Sequence, residues 1–227
     1  MNRRTFAAYG FLSPYLAVFL LFWIWPILYS FGLSFMSTRQ APWTFRPSVT
    51  WGRLAEDPAF LNALKNTLVI LLVQVPLMVA LATVLAVLLN SSLLKARGIM
   101  RFAFFAPVVV GEVAYAAVFR LMFTADRGIV NKMLDSIGLP AIDWFSNPTA
   151  AIALIIMAVT WRWAGYNAII ILSGLQSVPE DVYEAATLDR VSPLRQFFFI
   201  TLPLLRPVLV FCEVLSVIGT MQLSDEP

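Results

Sequence analysis

An all-α, polytopic transmembrane helical bundle of about five spans is the fold class this sequence predicts. Three observations point to it. Of its 227 residues, 60% are hydrophobic and only 13% are charged, where soluble domains carry about 25% charged residues. The mean hydropathy is +0.80. Five apolar runs are long enough to cross a hydrocarbon core of ~30 Å, which takes about 20 helical residues.

The runs lie at 11–35, 68–89, 102–123, 150–172 and 204–223. The first follows Arg3 and Arg4, as a signal peptide would, but it is too long for a cleaved apolar core and no small-x-small site follows. It reads as an uncleaved span, bent by Pro14 and Pro26, with the freed carbonyls satisfied by neighbouring helices. The 37–66 segment holds Pro42, Trp43, Pro47 and Trp51 and reads as an ordered outer cap. Charge interrupts the third and fourth runs at Glu112, Arg120 and Arg162. Between those runs, 128–137 carries Ile129, Met133, Leu134 and Ile137 at helical spacing. This predicts a short interfacial helix ending near Gly138 and Pro140.

With the N-terminus inside, the inner segments hold eight cations against four anions, and the outer ones seven against seven. The cation counts barely choose a side. Arg3 and Arg4, directly before the first span, decide for a cytoplasmic N-terminus. The chain has no His and a single Cys, Cys212, so cysteine zinc sites and disulfides are excluded. No Gly-Lys pair is present, hence no phosphate-binding loop. The modest net charge of +3 reads as topology signal rather than a nucleic-acid surface.

The polar stretch at 174–203 has the grammar of two short helices. Ser177-Val178-Pro179-Glu180 fits a capping box opening a helix with Tyr183, Glu184, Ala185, Ala186 and Leu188. Asp189-Arg190-Val191 makes the turn, Ser192-Pro193 opens the second helix, and Leu202-Pro203 leads into the last run. Glu184-Ala185-Ala186, then Ile200, then Leu202-Pro203 at this spacing resemble the cytoplasmic signature loop of ABC importer permeases. The pattern has one departure, Arg190 where the family has Gly. If that residue sits at positive φ, a side chain there costs about 1–2 kcal/mol.

The resemblance extends along nearly the whole chain. Pro26-Ile27-Leu28-Tyr29-Ser30 with Leu33-Ser34-Phe35, Asn62–Thr67, Trp144 with Pro148, and Trp161, Gly165 and Asn167 are similar to sugar-type permeases. Gly174-Leu175-Gln176, Gly219-Thr220, Gln222-Leu223 and Asp225-Glu226-Pro227 continue it. It is nearest the maltose and glycerol-3-phosphate type. The family implies a multi-pass subunit of a prokaryotic inner membrane that imports a sugar or glycerol-phosphate-like solute and is not an enzyme. It implies a second permease subunit, a cytoplasmic ABC ATPase dimer holding ATP and Mg, and an extracytoplasmic solute-binding protein. The chain itself binds no cofactor or metal. Residues 1–227 then form one permease domain, incomplete at its C-terminus because relatives continue into a sixth span. Residues 174–203 form the coupling loop, where a short rigid helix can dock. Its small alanines allow close approach and Glu184 supplies a directed contact. Tyr183, Glu184, Ala185, Ala186, Asp189 and Arg190 are its candidate coupling residues.

Charges inside spans are costly, about 2.5–3.5 kcal/mol at the centre, so they need partners or water. Arg120 lies near a span end and snorkels. Arg162 is central, with Glu112 and Glu213 as available counter-ions. Two readings stand: an ion pair that fixes helix packing, or a polar wall of the solute path. In the second, Trp161 or Tyr166 stacks on a sugar face and Asn167 or Gln222 bonds hydroxyls, beside Arg162 and Glu213, with Gln74 a weaker candidate. Two other functions compete. An ion-gradient-driven secondary transporter would use buried Glu112 and Glu213 as proton carriers, and a truncated, non-transporting scaffold would need neither.

Overall fold

The computed structural model describes residues 3–37, 43–91, 94–126 and 128–222. It divides into two units, Met1–Leu64 and Lys65–Pro227.

In the first unit, α1 (Arg3–Phe19), a π-helical turn (Leu20–Ile24) and α2 (Trp25–Leu33) follow one another without interruption. Tyr9–Leu33 forms one 25-residue span. Pro14 is absorbed locally rather than by a neighbouring helix. Pro14 leaves the Gly10 carbonyl without its usual donor, and the Ser13 hydroxyl donates to it at 2.9 Å. Ahead of Pro26 the helix widens by one residue, and the Trp25 N–H bonds to the Leu20 carbonyl. No described residue of the π turn or α2 is buried. Of the segment expected to form a cap, residues 38–42, Pro42 among them, lie outside the described residues. Strands β1 (Met36–Ser37) and β2 (Thr44–Phe45) pair antiparallel, and α3 (Pro47–Glu56) follows. Phe35 sits among Phe31, Phe45 and Trp51, with ring centroids 5.1 to 6.4 Å away.

Helix α4 (Pro58–Asn90) has 33 residues, about 50 Å, and starts ten residues before the expected run. The third expected span is two helices. α5 (Arg97–Val109) and α6 (Glu112–Phe123) meet at 96°. Pro107 removes one helical donor in the last turn of α5, and Val110 and Gly111 are extended, with ψ 129° and 145°. Glu112 then restarts the helix where a carboxylate suits the positive end of the dipole.

Helix α7 (Ile129–Ser136) matches the expected amphipathic segment. It ends in a Schellman motif: Gly138, at φ 78°, donates to Asp135, and Leu139 donates to Leu134. Its Ile129, Met133 and Ile137 are exposed, while Val130 and Leu134 pack beside Phe123, Trp144 and Leu154.

Helix α8 (Pro148–Gln176) opens on Asn147, whose Oδ1 accepts from the Thr149 and Ala150 amides at 3.0 and 3.3 Å. It is the most buried of the long helices. Two glycines let neighbours close on it. A Cβ on Gly165 would lie 1.8 Å from the Phe104 carbonyl oxygen of α5. One on Gly174 would lie 2.9 Å from a Val208 methyl.

After α9 (Glu180–Leu188), the chain enters α10 (Pro193–Gln196), a π turn (Phe197–Thr201) and α11 (Leu202–Met221) as one helical run. The second loop helix and the last span are therefore continuous. The widened turn precedes Pro203, as the first one precedes Pro26. The core of the second unit joins Ala82, Ala86 and Leu89 of α4, Ala168, Ile171, Leu172 and Leu175 of α8, and Leu205 and Cys212 of α11. Among the described residues four helices are long and apolar enough to cross a membrane, five if the α5–α6 pair counts as one broken span.

Candidate coupling groove and polar centre of the bundle

Helix α9 is short because both its ends are set by the chain. Pro179 sits at the N-cap and makes no side-chain capping bond. The Ser177 hydroxyl turns back instead and donates to the Gly174 carbonyl at 2.7 Å, closing α8. The expected capping box is thus not formed, because Ser177 serves the helix before it. Glu180 and Asp181 occupy the first turn, where negative charge complements the dipole.

At the far end, Arg190 donates to Thr187 and Val191 to Ala186, each at 3.0 Å. This is the same Schellman motif that closes α7, with Arg190 at φ 55° in the position Gly138 fills there. Asp189 precedes it as the C-cap.

The two alanines face differently. Ala186 is buried, and Ala185 is exposed along with Glu184 and Leu188. Tyr183 reaches inward, and its hydroxyl lies 3.2 Å from that of Thr201 in the second π turn. A concave groove of about 760 Å³ runs beside α9, lined by Tyr183, Glu184 and Thr187 with Asn90 of α4 and Leu175 and Gln176 of α8. A smaller one of about 260 Å³ shares Asn90, Leu175 and Tyr183 and extends to Pro193, Gln196 and Thr201. Sequence reasoning missed the Tyr183–Thr201 contact, since nothing in the spacing marks it.

The charged residues of the spans sort clearly. Arg162 is buried, and its Nη2 lies 3.4 Å from the Glu112 carboxylate, whose side chain is half-exposed. The guanidinium carbon lies 5.0 Å from the Tyr115 ring centre and 5.9 Å from that of Trp163. Among the described residues its Nε and Nη1 have no hydrogen-bond acceptor, and the guanidinium lies over the two rings. Glu213 is not its counter-ion: it is exposed on α11, one residue from buried Cys212, and among the described residues it forms no ion pair.

Trp161 is half-exposed, stacked on Tyr115 at 6.2 Å and close to Phe119 at 5.5 Å. Tyr166 meets Trp163 edge-on at 5.7 Å. Asn167 is buried and donates to the Trp163 carbonyl at 3.1 Å, with Met78 Sδ at 3.7 Å. It is committed to packing rather than open to a solute. Gln222 is exposed at the end of α11, its backbone N–H bonded to Gly219. The site residues therefore do not form one wall: Arg162, Glu112 and Trp161 cluster at the α5–α6 break, and Glu213 and Gln222 stand apart from them.

Gln74, a minor candidate from sequence, is 1% exposed and central. Its Oε1 accepts from Thr220 of α11 at 3.0 Å and its Nε2 approaches Met78 Sδ at 3.3 Å. Through Met78 this polar layer reaches Asn167 and joins α4, α8 and α11. Asn131 had no sequence signal beyond a polar residue on the packed face of α7. It is buried and fully used, donating to the Ala125 and Ile142 carbonyls and accepting from the Ile142 amide and Trp144 Nε1 at 2.9 to 3.2 Å. Nearby, the Ser146 amide, followed by its hydroxyl and the Phe145 amide, holds the exposed Asp143 carboxyl below its ordinary value of 3.8.

Comparison with known proteins agrees with this architecture. The chain is 42% identical over 218 residues to the lactose transport system permease protein of Rhizobium radiobacter, covering 95% of this chain and 73% of that one. It is 33% identical to the arabinooligosaccharides transport system permease protein of Halalkalibacterium halodurans, covering 99% and 71%. Among solved structures, a chain of a bacterial ABC transporter involved in the import of the acidic polysaccharide alginate superposes with a TM-score of 0.80 at 25% identity, over 94% of this chain and 72% of that one. Residues 48–225 match the model of the binding-protein-dependent transport system inner membrane component. With a family match over most of its length and relatives of this similarity, the chain belongs to the binding-protein-dependent transport system inner membrane component family.

Proposed function

We propose that this chain is one of two permease subunits of an ATP-driven importer that takes a sugar or oligosaccharide from an extracytoplasmic binding protein. The relatives' names support the substrate class: lactose and arabinooligosaccharides. The observation that carries the mechanism is the seat of α9. A rigid helix of nine residues exposes Glu184, Ala185 and Leu188 and borders an open groove, while Tyr183 ties it to the last span at Thr201. Such an element can receive a partner's motion and pass it to α11. The partner in this reading is a cytoplasmic ATPase dimer, which supplies ATP and Mg, so the N-terminus and α9 lie on the cytoplasmic side. The chain itself does no covalent chemistry. In the path, Trp161 offers a half-exposed ring for a sugar face and Glu112 a half-exposed carboxylate. An ion-gradient mechanism would need a buried carboxylate to carry protons. Glu112 is half-exposed and paired, and Glu213 is exposed.

The test is reconstitution of the chain in proteoliposomes with the second permease, the ATPase and the loaded binding protein. Glu184→Lys reverses the charge at the docking face of α9. Sugar uptake should fall while the complex still inserts and folds. Solute-stimulated ATP hydrolysis and uptake both unchanged in the assembled mutant complex would overturn the assignment.

A further inference from the structure

The turn from α4 to α5 carries positive charge that no acidic side chain among the described residues pairs with. Lys95, Arg97 and Arg101 occur within seven residues, and 91–111 contains no Asp or Glu. Arg97 and Arg101 lie four residues apart on α5, hence on one face with Cβ atoms about 6 Å apart. Among the described residues neither forms an ion pair, and the Nε of Arg101 is buried without an acceptor. No acidic residue stands in the first turn of α5, where cations oppose the helix dipole. This concentration of positive charge suits an anion from outside the chain.

Two features say what kind. The first is depth. Arg101 precedes Phe104 by three residues, about 4.5 Å along the axis, and Phe104 is in backbone contact with Gly165, in the interior of the apolar helix α8. Helical side chains lean toward the N-terminus, so the Arg101 guanidinium leans back over the turn that carries Arg97. Both then point toward the end of the bundle where Asn90 lies. The second is the flank. Ile99 and Phe102 are 69% and 71% exposed, a surface suited to hydrocarbon rather than to water. Cations at the end of a span beside exposed apolar side chains match a lipid whose phosphate sits above its acyl chains.

We propose that Arg97 and Arg101, with Lys95, hold the phosphate of an anionic phospholipid at the α4–α5 turn, the acyl chains lying along Ile99 and Phe102. The site rests on the chain being a membrane protein and does not depend on the substrate or on α9 docking.

The test uses the full chain in nanodiscs of phosphatidylcholine with and without phosphatidylglycerol, read by thermal unfolding and by the lipid retained in native mass spectrometry. Wild type should unfold at higher temperature with phosphatidylglycerol and retain it. Arg97→Gln/Arg101→Gln should retain it about 25-fold less, since each cation near the surface contributes roughly fivefold, and Arg97→Lys/Arg101→Lys should keep most of it. Glycerol 1-phosphate and inorganic phosphate in neutral detergent separate the sources. A comparable rise with either would overturn the lipid in favour of a soluble phosphate. No phosphatidylglycerol-dependent shift in wild type, or full retention by the double Gln variant, also refutes the site. So does a double Gln variant that loses only ATPase-subunit binding, which would make the cluster a protein-docking surface.

Discussion

Arg190 is the place where backbone geometry and side-chain identity disagree most plainly. It sits at φ 55° at the end of α9, a conformation that costs an L-residue with a side chain about 1–2 kcal/mol. Replacing it with Gly removes that strain but gives freedom to the unfolded chain, an offset of about 0.4–1 kcal/mol. The substitution also removes a cation from the negative end of the helix, a loss of roughly 0.3 kcal/mol at an exposed position. Central values leave a net gain of about 0.5 kcal/mol, a two- to threefold change in the local opening equilibrium. The probe is the Val191 amide, which closes the motif on Ala186 at 3.0 Å. Its hydrogen exchange should slow two- to threefold in Arg190→Gly and slow less in Arg190→Asn, since Asn tolerates this region better than other residues. It should speed up slightly in Arg190→Ala, which keeps the strain and loses the charge. If Ala matches Gly, the effect comes from removing the Arg side chain and the strain argument is wrong. The reciprocal experiment is at Gly138, φ 78° with no atom within 4 Å of an added Cβ. There Gly138→Ala isolates the backbone term and should speed exchange at Leu139.

Three further outcomes follow from packing and hydrogen bonding. Gly165→Ala puts a methyl group 1.8 Å from the Phe104 carbonyl oxygen, so α5 must shift. Thermal unfolding in detergent should show a loss of about 1–3 kcal/mol or more, whereas Gly219→Ala, with no atom within 4 Å, should behave as a mild control. Asn131→Ala strands the indole N–H of Trp144 and the Ile142 amide, which should cost about 1–3 kcal/mol for each buried group left unmade. Red-shifted Trp144 fluorescence would report the opened loop and an unchanged spectrum would count against it. Asp143 has a folded-state value below 3.8, so its turn is favoured above that pH and loses this contribution as pH falls through the lowered value. Ser146 amide exchange should rise there, and Asp143→Asn should abolish that pH dependence.

Much of this was legible because membrane burial writes itself into composition. The long apolar runs placed α4, α8 and α11, and the spacing Ile129, Met133, Leu134, Ile137 placed α7. The positive-φ condition at Arg190 could be framed from sequence because a turn that takes Gly restricts what replaces it. Where the reading failed, the deciding quantity was not local. Pro107 and Gly111 allow a break but do not require one, and 102–123 is apolar enough to pass for a single span. Arg162 had two carboxylates to choose between, and the choice depends on how α6 and α11 are rotated about their axes. Ser177 could cap the helix ahead or close the one behind, and only the angle between α8 and α9 decides. Gln74 and Asn131 carry no motif at all. Each is buried because its neighbours supply bonding partners, and partners up to 146 residues away leave no trace in spacing.

The magnitudes also bear on how α9 could work. Within the chain it is held by little. The Tyr183–Thr201 hydroxyl contact is worth about 0.5–1.5 kcal/mol net. Ala186 is the helix's one fully buried residue, with Val182 and Tyr183 part-buried beside it. Concavities of about 760 and 260 Å³ both border Tyr183, where a tightly seated helix would leave none. The helix is internally rigid, closed at one end by Pro179 and at the other by the Arg190 turn, yet Ala186 is its one fully buried side chain. An element so built can move as a unit without unfolding. The span it touches is compliant at that point, since the π turn at Phe197–Thr201 has already given up regular helical bonding ahead of Pro203. Beyond it, Leu205 and Cys212 are locked in the core and Thr220 is bonded to Gln74. A partner that fills the grooves would supply the missing packing. Displacement would enter at Thr201, the softest part of the last span, and be resisted by the polar layer at its far end.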